Sequence, residues 1–120
     1  MDQDTPRFAH DRLDAYAVAR EALVLGHSIV QALPRGYGTL VDQLRRAQLS
    51  AVLGIAEAAA RSGADRLARF RCARAEVSEA AAALDVVQAL GLAPEADVRA
   101  AMALEARLYA MLTRLAKAGR

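Results

Sequence analysis

What this chain lacks narrows its chemistry. It has one cysteine, no tryptophan, two histidines, and aromatic residues at only 4% of its 120 positions. With Cys72 alone, no intrachain disulfide can form and no multi-cysteine metal site can be built. Neither His10 nor His27 has a glutamate three residues before it, so the Glu-x-x-His pairs of di-metal helical bundles are missing. Neither Ser50 nor Ser78 has a neighbouring His–Asp arrangement, which leaves no nucleophile of the usual kind. No apolar run is both long and uncharged enough to span a bilayer. Met1 leads into Asp2, Gln3 and Asp4, not into a basic and then apolar export signal. These absences predict a non-enzymatic, cytoplasmic protein without metal, cofactor or membrane partner.

Proline is scarce too. The three prolines, Pro6, Pro34 and Pro94, all fall outside the long periodic stretches. Hydrophobic residues make up 55% of the chain, much of it alanine, and no stretch alternates with period two. An alanine- and leucine-rich chain of this kind reads as all-α. Its length fits one contiguous core.

Four helical segments follow from the spacing. After a polar lead at 1–10, a single domain is predicted over 11–118. The first helix is placed from Asp11 to Ala32 or Leu33, with Leu13, Tyr16, Ala17, Leu23, Val24 and Val30 on its inner face. Arg20, His27 and Gln31 fall on that side by spacing. Leu33-Pro34-Arg35-Gly36 ends it. Thr39 is the expected N-cap of the second helix, which carries Leu40, Leu44, Ala47, Ala51, Ile55 and Ala58 to about Arg61. The third runs from about Asp65 to Leu90 on Phe70, Ala73, Val77, Ala80, Leu84 and Val87. Gly91 is its expected left-handed terminator. Pro94 opens the fourth, whose stripe is Val98, Ala101, Leu108, Leu112 and Leu115, and Gly119 closes the chain. Similar lengths and short connections predict an antiparallel up-down-up-down four-helix bundle. Leu49, Val52, Leu53, Leu104 and Met111 lie off these stripes, which points to a subunit interface.

The net charge is only +2, yet Lys117 is the only lysine among the cations. Arg61, Arg66, Arg69, Arg71 and Arg74 gather around the junction of the second and third helices, with Arg45 and Arg46 further back. These seven are the candidate nucleic-acid contacts, made mostly to phosphate. The competing reading is structural: Arg46, Glu57, Arg61 and Glu79 form an ion-pair network that sets helix register. Glu105 interrupts the fourth stripe, so it stands at a subunit boundary or opposite an arginine.

Motif order carries a resemblance as well. Phe8 to Ala19, Leu33-Pro34-Arg35-Gly36, Asp42-Gln43-Leu44-Arg45-Arg46-Ala47 with Ser50, Ile55-Ala56-Glu57, Arg69-Phe70 with Ala73-Arg74, and Met111 to Leu115 follow one another at family spacing. Together they resemble the four-helix-bundle proteins encoded in 23S ribosomal RNA intervening sequences, relatives of the accessory variability determinant of diversity-generating retroelements. Gly54, Ala58, Ala75 and Glu76 depart from the family's Asn, Gly, Gly and Ser. The resemblance implies a ring-shaped homopentamer. It also implies an accessory role, with RNA or DNA and a reverse transcriptase or other protein as partners.

Overall fold

The computed structural model describes residues 7–117; positions 1–6 of the polar lead and 118–120, with Gly119 and Arg120, lie outside the described residues. A 3-10 turn, Ala9–Arg12, precedes four α-helices: α1 (Asp14–Gln31), α2 (Gly38–Ala59), α3 (Gly63–Ala89) and α4 (Glu95–Lys117). Each helix packs against its neighbours in chain order, α4 also meets α1, and the diagonal pairs stand apart. That is an antiparallel up-down-up-down bundle. α2–α3 and α3–α4 make the broadest contacts, and the shorter α1 closes the ring more loosely. No described helix is long and apolar enough to cross a membrane.

The ends of the helices show which local forces prevailed. The first α-helix begins at Asp14, not Asp11, because the Asp11 carboxylate caps the preceding turn instead. It accepts backbone N–H groups of Phe8 at 2.9 Å and Arg7 at 3.0 Å. Those two bonds, Phe8's first, hold its carboxyl below the usual range. Thr39 lies inside the first turn of α2, whose N-cap is Tyr37 without a side-chain cap. At the end of α3, Gly91 takes φ 65°. Its N–H reaches the Gln88 carbonyl at 3.1 Å, and the Leu92 N–H reaches Val87 at 3.1 Å, the paired bonds of a Schellman terminator. Leu92 then packs into the cluster that contains Val87. The Pro94 carbonyl accepts the first bonds of α4, from Asp97 and Val98.

The core divides into two apolar clusters. One gathers Val18, Ile55, Phe70, Val77, Leu108 and Leu112; the other gathers Ile29, Leu44, Leu84, Val87 and Val98. Removing each such side chain from water contributes about 1.5–3 kcal/mol. The periodic stripes of α2, α3 and α4 face inward, except that Leu40 and Leu115 are half-buried at the edge. α1 is phased differently from its larger residues. Ala15, Val18, Ala19, Ala22, Gly26, Ile29 and Val30 are buried, while Ala17 is exposed and Val24 is 69% exposed. Small residues let α1 approach its neighbours, leaving Leu13, Tyr16 and Leu23 to cover the flanks. Arg20, His27 and Gln31 consequently lie outside. Arg20 sits over the Tyr16 ring at 6.0 Å, and His27 pairs with Gln31 at 3.2 Å.

Candidate functional site

The arginines predicted as one cationic surface divide into groups with different surroundings. Arg46 reaches across from α2 to α3, where it donates to the Glu79 carboxylate and lies 3.8 Å from Glu76. It also donates to Gln43 at 2.7 Å. At the α2–α3 turn, Arg61 and Arg69 share two acids. Arg69 donates to Glu57 at 2.7 Å and to Asp65 at 3.2 Å, while Arg61 meets Asp65 at 3.2 Å and Glu57 at 3.5 Å. Arg46, Glu57, Arg61 and Glu79 therefore belong to two separate clusters, not one network. Arg46 and Glu57 point in similar directions but stand roughly 16 Å apart along the helix axis, beyond side-chain reach. Apart from Glu76, whose Oε1 is buried without a hydrogen-bond partner, these groups are substantially solvated, so each such pair stabilises the fold by at most about 1 kcal/mol.

Two further arginines are occupied by aromatic rings. Arg66 lies 5.3 Å from the Phe70 ring centroid, and Arg74 lies 5.7 Å from that of Tyr109 while donating to Thr113 Oγ1 at 3.4 Å. Arg45 and Arg71 are exposed and form no ion pair among the described residues. Of the seven candidate contacts, Arg45, Arg66 and Arg71 donate to no side chain among the described residues, and Arg45 and Arg71 also lie clear of any aromatic ring. Cys72, next to Arg71 in the chain, is exposed on α3.

The least expected feature is a polar layer inside the bundle. Gln48 and Glu105 are only 3% and 2% exposed. Gln48 Nε2 donates to the Ala22 carbonyl at 3.0 Å and to Glu105 Oε2 at 2.9 Å, joining α1, α2 and α4. Gly26 makes room for it, since a Cβ there would stand 1.9 Å from Gln48 Oε1. On α1, α2 and α4 these residues fall between the members of one apolar cluster and those of the other. Glu105 thus lies within the bundle on an amide, not opposite an arginine. Burial pushes its carboxyl up to about 6, with the Gln48 bond opposing the rise.

Gln48 carried a signal in the sequence: it lies four residues after Leu44 and three before Ala51, on the core stripe itself. Glu105 interrupts its own stripe in the same manner. What the sequence could not show is that the two polar positions meet.

Among the clefts on the surface of the described residues, two are of ligand size. One of about 410 Å³, between the start of α1 and the end of α4, is edged by Arg12, Asp14 and Arg114. The other, of about 400 Å³, lies between α3 and α4 and is lined by Val77, Ser78, Ala81, Met102, Glu105, Ala106 and Tyr109. Among the described residues no group of three or more His, Cys, Asp or Glu side chains could hold a metal ion.

Comparison with known proteins adds identity to this geometry. No curated protein matches the chain. A family model described as 23S rRNA-intervening sequence protein matches residues 11–114, which span all four helices up to the last turn of α4. The chain belongs to the 23S rRNA-intervening sequence protein family.

Proposed function

We propose that this protein is a non-catalytic assembly module whose bundles pack against copies of themselves as an accessory scaffold, with a homopentameric ring as the assembly. The observation that carries this reading is the outer surface of α2. Leu49 and Leu53, one helical turn apart, are 48% and 57% exposed. Val24, Val86 and Tyr109 on the other helices, and Leu90 at the end of α3, are also large and exposed. A helix that is apolar outside as well as inside is the usual mark of a buried subunit contact. Ring closure needs two different faces per subunit, and exposed apolar residues on all four helices supply them. Sedimentation velocity tests the proposal. The native chain should sediment as a multiple of its own mass, and Leu49→Glu with Leu53→Glu should return it to single chains. A well-behaved monomer at high concentration refutes self-association.

Nucleic-acid binding is a second reading, favoured by Arg45 and Arg71. Their unpaired guanidinium groups suit phosphate contact without base specificity, the mode expected of a relative of the retroelement accessory factors. Fluorescence anisotropy on RNA and DNA should show affinity falling with salt and weakening in Arg45→Glu with Arg71→Glu. Binding indifferent to salt excludes it. If instead a protein such as a reverse transcriptase is the partner, its capture survives nuclease treatment.

A further inference from the structure

We infer that the cleft between α3 and α4 is a binding site for a small organic cation, an amine or guanidine carried on an apolar body. The cleft's volume of about 400 Å³ falls in the range of small-ligand pockets. Its walls are apolar, built from Val77, Ala81, Met102 and Ala106, with the half-exposed ring of Tyr109 on one side. Against these walls stands one acid, Glu105, itself 2% exposed.

Glu105 is held rather than merely present. Its Oε2 accepts from Gln48, which is anchored on the Ala22 carbonyl and fits against Gly26. The carboxyl forms no other hydrogen bond and no ion pair among the described residues. A buried carboxylate without a counter-charge is costly, and a cation entering the cleft would turn that cost into an ion pair. No competing charge faces it from within the bundle. α1 presents the Ala22 backbone, α2 presents Gln48, and α3 presents Val77, Ser78 and Ala81. On α4, Tyr109 is the titratable group at the rim, with Arg74 of α3 over its ring. The cation therefore goes to Glu105, and the apolar body lies against Met102 and Tyr109.

NMR titration at neutral pH with phenethylamine, and with phenethyl alcohol as its neutral counterpart, tests the site. The amine should shift amide resonances around Ser78 and Glu105 in a saturable manner. It should bind about tenfold or more tightly than the alcohol, the contribution of one charge-assisted hydrogen bond. Glu105→Gln keeps the amide-bonded geometry and should abolish that preference. Ala106→Trp should block both compounds. Equal binding of amine and alcohol, a preference that persists in Glu105→Gln, binding undiminished in Ala106→Trp, or no saturable shift with the amine would each overturn the assignment.

Discussion

Replacing Glu105 by glutamine should stabilise the protein at neutral pH and remove most of one component of its pH dependence. In the folded chain the Glu105 carboxyl is raised from 4.5 to about 6, chiefly by burial. Below pH 4.5 the group is protonated whether the chain is folded or not, and it contributes no pH dependence. Between 4.5 and about 6 the unfolded chain gives up its proton while the folded chain keeps it. The folded state then binds more protons, so stability falls as pH rises. Above that window the loss is complete, about 2 kcal/mol at 1.36 kcal/mol per pH unit. Glutamine has nearly the same shape, accepts the Gln48 bond through its carbonyl, and carries no charge. The gain of Glu105→Gln over the native chain should therefore grow from near zero at acidic pH to about 2 kcal/mol at neutral pH. Urea unfolding at a series of pH values measures it. Far-ultraviolet circular dichroism is the suitable probe in a helical protein without tryptophan, and protein concentration is held constant. A gain that does not change with pH would refute the claim that Glu105 is buried as a proton-holding acid.

Three other substitutions probe different parts of the fold. Gly26→Ala should destabilise the bundle despite about 1 kcal/mol of added helix propensity, because the methyl group displaces Gln48 and strips Glu105 of its partner. Urea unfolding should show a net loss of about 1–2 kcal/mol, and a stabilised variant would refute the close fit. Gly54→Ala should do the opposite. The new Cβ meets Ala73 Cβ at 3.6 Å, an ordinary contact, so a gain of about 0.5–1 kcal/mol in the unfolding transition is expected. Leu84→Ala, at a fully buried position, should cost about 2–5 kcal/mol by the same measurement.

The sequence by itself determined the four helices, their order and most of their buried stripes. A 3.6-residue repeat of apolar side chains constrains which face turns inward once the chain is helical, as Phe70, Ala73, Val77, Ala80, Leu84 and Val87 illustrate. Gly91 was equally legible, since a left-handed helix end selects glycine over residues bearing a Cβ. The phase of α1 was not legible, because its core contacts are made by Ala15, Ala19, Ala22 and Gly26, whose small side chains give a weak hydrophobic signal. Ion-pair partners were only partly legible. Glu57–Arg61 is local in sequence, whereas Arg46–Glu79 and Arg69–Glu57 depend on how α2 and α3 are set against each other. Tertiary structure alone decided that Gln48 and Glu105, far apart along the chain, share one layer across the bundle. A polar residue on an apolar stripe shows that a partner is needed, but helix packing chooses that partner.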